Sequence, residues 1–345
     1  MWSVKILPKV KFSKSTLSIL DFSTRLIFIQ KYCDIKLQIN FVSIQPRMKF
    51  LISGGTGLIG KSIVQLLREN NHDINILSRT KRSSSKKIKY YKWNPKIQTI
   101  DYDSIDDVDV IINLAGENIF GIWTKSKKKK ILDSRVKSLQ LLKKLINNKP
   151  NNVKQIISAS AIGIFPNSHE IIFDENSTQK GNTFLANVVK EWEREIESLK
   201  AFKINVTTVR IGMVFCELGG IIKVLRLISK SRFLSFIGNG DQKISWIHLN
   251  DLTELFYKIS QKNYNGLIHA VNNNPTTMFD LITNLTNKYK LKVKLFIPAI
   301  ILKSFFRLLC LGDFYEDIAN SSKNVISKRI NKVYPKLKYT NLKDL

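Results

Sequence analysis

The chain has 345 residues, 43% of them hydrophobic, long enough for one large or two modest domains with a full core, and it carries a formal net charge of +29. Cys33, Cys216 and Cys310 stand far apart, which excludes a disulfide framework or a cysteine metal site and fits a reducing, cytosol-like compartment. The lysines are spread along the chain with no interleaved aromatics and no nucleic-acid motif, so the charge reads as coding bias rather than as a nucleic-acid footprint.

Residues 1–47 hold eight basic and two acidic residues, Asp21 and Asp34, and no motif. Three readings stand for this basic extension: an overcalled start with Met48 the true one, a targeting segment, or a structured extension. A cytoplasmic location is expected, with a plastid or other organelle the alternative if the segment is a targeting one.

From Met48 the pattern is clear. "KFLIS" is a buried strand, "GGTGLIG" follows at once, and "KSIVQLLREN" places Ile63, Val64, Leu66 and Leu67 at helical spacing. Strand, glycine turn and helix make the context of a dinucleotide fingerprint. Glycine permits the turn and lets backbone N–H groups reach a pyrophosphate at the positive end of the helix. A P-loop is excluded, because no Gly-Lys-Ser/Thr stands at the Walker spacing. The next strand, "DINILSRT", ends in Ser78 and Arg79 where an NAD-preferring chain ends in Asp or Glu. A hydroxyl and a guanidinium suit a 2′-phosphate, so NADP(H) is favoured over NAD(H).

"DVDVIINLAGENI" gives a third strand, closed by Asn113, Leu114, Ala115 and Gly116. The "KSKKKK" run reads as a solvated start to the helix that follows. "VKQIISASAIGIF" is a strand ending in Ser158 and Ser160, and "INVTTVRIGMVF" is another. Strands alternating with helices imply an α/β fold, a doubly wound parallel sheet with its ligand at the carboxyl ends of the strands. The expected cofactor contacts are Ser53, Gly54, Gly57, Leu58, Ile59, Gly60, Ser78, Arg79, Asn113, Leu114, Ala115, Gly116 and Ser158; no metal is expected. The domains read as 1–47, a nucleotide-binding core over 48–215, and a mixed substrate-side lobe over 216–345. In that lobe Phe215, Phe233, Phe236 and Trp246 are core or pocket residues. "LFIPAIILKSFFRLLCL" reads as an amphipathic helix covering the core, since Lys303 and Arg307 interrupt it. No apolar run reaches 18 residues, so no transmembrane segment is expected.

"SGGTGLIG", "NLAGE", "SASAIG", "FLANVVKEWE", "VRIGMVF" and "SWIHLNDL" occur in the order of the extended short-chain dehydrogenases/reductases, which the chain resembles over Met48 to Leu345. "YKWNP", "GENIFGIWT", "DSRV" and the C-terminal "IPAIILKSFF" and "LKYTNLKDL" are similar to an atypical branch labelled epimerase-like, some of it cell-division-inhibitor-like. The resemblance implies a Rossmann core and a small C-terminal substrate lobe. It also implies a Ser, Tyr and Lys that hold the substrate oxygen, exchange its proton and tune that exchange. Ser160 falls at the Ser position and is the candidate catalytic residue. The Tyr and Lys positions fall on Phe184 and Val188, which can do neither task, and Lys190 lies on another face of the helix. Asn118, Asn187, Glu117 and His248 are the polar residues left as substitutes. The function expected is an NADP(H)-binding epimerase- or oxidoreductase-like protein acting on a small substrate without the standard Tyr–Lys pair. The alternative is a non-catalytic nucleotide-binding regulator that acts through a protein partner, such as a cell- or plastid-division inhibitor.

Overall fold

Phe50, Leu51 and Ile52 are fully buried in β1 (Lys49–Ser53), which lies at the middle of the sheet. A continuous apolar run of this kind belongs in a parallel sheet covered on both faces. The computed structural model describes residues 46–217, 219, 222, 235–237, 240–289, 295–297, 299–308 and 312–344. Backbone contacts divide the chain into Met1–Pro46 and Arg47–Leu345, and the sheet and its helices all belong to the second unit.

The strands that follow are β2 (Asp73–Ser78), β3 (Ile88–Asn94), β4 (Thr99–Ile100), β5 (Val110–Asn113), β6 (Gln155–Ala161) and β7 (Asn205–Ile211). Beyond them come β8 (Met213–Cys216), β9 (Ser235–Ile237), β10 (Lys243–Ile244), β11 (Trp246–His248), β12 (Gly266–Ala270), β13 (Thr276–Thr277) and β14 (Leu295–Ile297). The main sheet runs β12-β7-β6-β5-β1-β2-β3-β4, with every pair parallel except β3 with β4. The chain order reverses between β1 and β5, the switch point where such sheets open a crevice for ligand.

The helices are α1 (Leu58–Glu69), α2 (Lys125–Asn148), α3 (Phe184–Ser198), α4 (Leu249–Gln261), α5 (Met278–Tyr289) and α6 (Ala299–Leu308). α1 packs with α4 and α2 with α3, as a doubly wound sheet requires. Thr124 and Thr183 accept the Lys127 and Ala186 N–H groups and so start α2 and α3. The lysine run lies in the first two turns of α2, with Lys125, Lys129 and Lys130 exposed.

Outside the main sheet stand three strand pairs, β8 with β11, β10 with β13 and β9 with β14, together with helices α5 and α6. Phe215 and Trp246 are core there, their rings stacked at 5.1 Å beside Leu281 and Leu285. Phe233 and the side chain of Phe236 lie outside the described residues. α6 forms, but it does not simply cover a core: Ile300, Ile301 and Leu308 are exposed. Ile301 and Leu308 stand seven residues apart on one face, and that face is turned outward. Among the described residues no helix is long and apolar enough to cross a membrane, and no His/Cys/Asp/Glu group could hold a metal.

Candidate functional site

The glycine turn joins β1 to α1. Gly54 has φ +73°, a left-handed conformation that favours glycine, and a Cβ there would lie 2.6 Å from the Leu114 carbonyl oxygen. A Cβ on Gly60 would overlap the Gly54 carbonyl and stand 2.6 Å from Gly55 Cα. These two residues therefore set the shape of the turn and its closeness to the end of β5. Gly57 differs, because a Cβ there would meet only Gly54 O, at 3.4 Å. It is also the N-cap of α1, where no side chain caps the helix and no acidic residue stands in the first turn. The first N–H groups of α1 thus face a glycine-lined opening with the positive end of the helix behind them. Leu58 and Ile59 lie there too, Leu58 exposed and Ile59 part-buried.

At the end of β2, Arg79, Lys81 and Arg82 are all exposed. The Ser78 hydroxyl is held locally, donating to the Thr80 carbonyl at 2.8 Å. A cleft of about 250 Å³ runs behind the turn, with Thr56, Lys61, Arg68 and Arg82 on its wall. Three cations around one cleft beside the glycine turn form a donor set for a phosphate.

Below the strand ends, three polar side chains cross the sheet in register. Ser53 donates to Asn113 Oδ1 at 2.6 Å, and Asn113 Nδ2 donates to Ser158 Oγ at 3.0 Å. All three are buried, so these side chains tie β1, β5 and β6 together under the crevice floor. Leu114 and Ala115 continue from β5, and Gly116 is exposed at the rim.

Ser160 is buried and donates to Glu193 Oε1 at 2.6 Å. Glu193 in α3 is in turn gripped by Arg210 of β7 through two bonds of 2.7 Å, Nε to Oε1 and Nη2 to Oε2. Parallel register places Ser160 beside Arg210 and Arg210 beside His269. The Ser160 hydroxyl thus belongs to a buried network that docks α3 on the sheet. Burial holds the His269 imidazole below its ordinary value, so it is neutral at pH 7.

Phe184 and Val188 do not face open space. Val188 is buried with Trp123 and Ile131. The Trp123 ring meets Phe184 at 5.1 Å and Phe314 at 5.5 Å, both edge-on. An aromatic cluster thus fills the place where the resemblance puts the proton-transferring pair. The other polar residues are engaged. Glu117 pairs with Lys127 at 2.7 Å, and that bond holds its carboxyl below the usual range. Asn118 accepts the Phe120 N–H, and Asn187 accepts from Lys190. His248 caps α4 by accepting the Asn250 N–H and stacks on Tyr339 at 3.6 Å.

Sequence reasoning missed Glu193, Arg135 and the Arg82–Lys61–Arg68 cleft. An arginine inside a buried strand, as in "TTVRIG", signals a buried acidic partner without saying which, and the structure supplies it in Glu193. The glycine cradle, the uncapped helix and the cations beside it fit an anionic dinucleotide, on the chemistry of the residues present.

The family model described as the NAD dependent epimerase/dehydratase family matches residues 50–272. The epimerase family protein YfhF of Bacillus subtilis is 32% identical over 235 residues, 67% of this chain and 76% of that protein. The chloroplastic SDR39U1 homologue of Arabidopsis thaliana is 31% identical over 308 residues, 87% of this chain and 86% of that one. Among solved structures, human SDR39U1 (isoform 2) with NADPH superposes with a TM-score of 0.71 at 24% identity, covering 86% of this chain and 97% of that one. A nucleoside-diphosphate sugar epimerase of Corynebacterium glutamicum gives 0.68 at 24% identity, over 87% of this chain and 57% of that one. These superpositions show the fold.

Proposed function

The chain belongs to the NAD dependent epimerase/dehydratase family, and on that premise we propose that it is an NADP(H)-dependent oxidoreductase or epimerase of a small substrate that works without a Tyr–Lys proton relay. The observation that carries the reading is the glycine cradle before the uncapped N-terminus of α1, with Arg79, Lys81 and Arg82 exposed at the end of β2. The backbone N–H groups after Gly57 bind the pyrophosphate, and the β2 cations bind a 2′-phosphate. Human SDR39U1, of like fold, was solved with NADPH, and other structures of like fold, such as MoeE5, with NAD. The bound nicotinamide supplies or accepts a hydride. The chain's own residues hold the dinucleotide, keep α3 docked through Glu193 and Arg210, and exclude water with Trp123, Phe184 and Phe314.

A second reading rests on the aromatic cluster: with Phe184 and Val188 packed away, the protein binds the nucleotide and acts through a partner without turnover. Titration of the full chain with NADPH and NADH by fluorescence tests the cofactor. NADPH is expected to bind at least tenfold more tightly, and the Arg79→Ala, Arg82→Ala double variant to lose that preference while NADH affinity stays put. Equal affinities would overturn the NADP(H) preference. Loss of absorbance at 340 nm across a panel of aldehydes and ketones would show an oxidoreductase; an epimerase consumes no net NADPH, so chromatography of candidate substrates for the epimerised product separates it from a regulator.

A further inference from the structure

Arg135 lies in the third turn of α2, against the loop that leaves β5. Its Nη1 donates to the Glu117 carbonyl at 3.2 Å and to the Ile131 carbonyl at 2.9 Å. A Cβ on Gly116 would stand 3.3 Å from both Cζ and Nη2 and 3.5 Å from Nη1, so this glycine closes over a face of the guanidinium. The Trp192 ring lies 5.1 Å from Cζ. Among the described residues no carboxylate stands within ion-pair distance of Arg135, and Nε and Nη2 have no protein acceptor. Glu117, whose carbonyl it holds, is taken by Lys127, and Asp133, two residues before it, by Lys129 and Lys137. Burial draws the guanidinium down to about 10, which leaves it a cation at pH 7.

Arg135 is part-buried, and a cation held there with no carboxylate within ion-pair distance favours an arriving anion. The edge left free, Nε with Nη2, is the fork that takes a carboxylate through two parallel bonds. The dinucleotide's own anionic groups are placed elsewhere, the pyrophosphate at α1 and the 2′-phosphate beyond β2. In the sheet, β5 lies on the opposite side of β1 from β2. Arg135 holds the loop that leaves β5, so it stands on that side of the glycine turn.

We propose that Arg135 receives a carboxylate of the substrate, so that the substrate class is a small carbonyl or hydroxy compound bearing a carboxylic acid. This deepens the reading above and rests on its placement of the cofactor. One guanidinium fork matches one carboxylate through two parallel bonds, whereas a phosphate calls for more donors. Gly116 fits this packing closely, since a Cβ there would press on the guanidinium and make it give by a few tenths of an ångström.

The test is calorimetric titration of the full-length protein, NADPH-saturated and cofactor-free, with oxalate and malonate as probes and the neutral diamide malonamide as control. Wild type is expected to bind the two dicarboxylates and not malonamide. Arg135→Met is expected to lose at least tenfold in affinity, and Arg135→Lys, which keeps the charge but not the fork, to fall between. NADPH affinity, read on the same samples, should change less than twofold in both variants. Wild-type protein that binds neither dicarboxylate, or an R135M protein that binds them as well as wild type, would overturn the proposal. Should R135M fail to fold, as circular dichroism would show, R135K decides, with wild-type affinity the overturning result. Wild type that fails to bind NADPH while its dicarboxylate binding still depends on Arg135 would sink the cofactor reading and leave Arg135 a carboxylate site but not the substrate site of a nicotinamide enzyme.

Discussion

Neighbouring glycines of one turn do different work, and substitution separates them. Gly60 is packed against the turn itself: its Cβ would overlap Gly54 O, a backbone atom that cannot swing aside. Gly60→Ala is expected to cost about 2–4 kcal/mol of stability, in the range of overpacking and backbone strain, and to lower Tm by many degrees. Gly57 has room for a methyl on the protein side, with Gly54 O at 3.4 Å as its one close neighbour. Gly57→Ala should therefore fold with a Tm close to wild type yet lose at least tenfold in NADPH affinity, because the added methyl occupies the approach to the pyrophosphate. A scan of Tm beside a fluorescence titration gives both numbers. Normal NADPH binding by Gly57→Ala would mean that the phosphates do not cross at this point. Ser160 makes a similar case. Its hydroxyl sits 2.6 Å from a carboxylate that Arg210 already holds, so Ser160→Ala leaves Glu193 with one bond fewer. The expected loss is about 1.5–3 kcal/mol, the range for a hydrogen bond to a charged group, read as a urea midpoint shift.

α3 marks how far the sequence carries an element. Its existence, its Thr183 cap and its buried stripe of Ala186, Val189, Trp192 and Ile196 follow from local pattern. So do the strands, whose apolar runs announce a covered parallel sheet. What local pattern cannot show is the partner of a side chain that comes from a distant segment. Glu193 meets Ser160 of β6 and Arg210 of β7, and Trp123 meets Phe184 and Phe314. Each of these contacts is set by topology rather than by spacing along the chain. α6 is the converse: its apolar content suggested a core-facing helix, yet hydrophobicity alone does not say which face turns inward. The cluster around Phe184 has a measurable consequence. Val188 is 3% exposed, so Val188→Lys buries an ammonium among Trp123 and Ile131. The cost should be at least about 3 kcal/mol, the scale of an uncompensated buried charge, read by urea unfolding. Restoring the family's Tyr–Lys pair at 184 and 188 is therefore expected to weaken the fold rather than to create turnover. A double variant of normal stability that oxidises NADPH would show instead that the cluster opens.

At the scale of the molecule, the carboxyl-terminal segment crosses back over the sheet edge and is pinned at several points. Val325 bridges to Phe173 and Lys323 to Ile244. Glu175 accepts the His269 and Lys328 N–H groups at 3.0 and 2.9 Å, and Asp251 accepts from Lys338 N, Tyr339 N and the Tyr334 hydroxyl. One of these anchors carries an electrostatic cost. The Lys323 amine is buried and donates to the Phe165 carbonyl at 2.6 Å. Burial lowers its pKa to about 8, with Asp317 giving only partial Coulomb relief. Unfolded lysine titrates near ~10.4, so the unfolded chain binds more protons between roughly pH 8 and 10, and stability rises with pH through that window. Below about pH 8 both states are protonated and the cost is at its full size, at most ~3 kcal/mol for a shift of this order. Lys323→Met removes the charge but strands the Phe165 carbonyl, a loss of about 1–2 kcal/mol. The net expectation is a variant about 1–2 kcal/mol more stable than wild type at pH 7, with the advantage vanishing or reversing by about pH 10. Urea unfolding of both proteins at pH 7 and pH 10 measures it. A variant less stable than wild type at pH 7 would mean that the ammonium is compensated in the folded protein, and that this anchor is a net attraction rather than a tolerated charge.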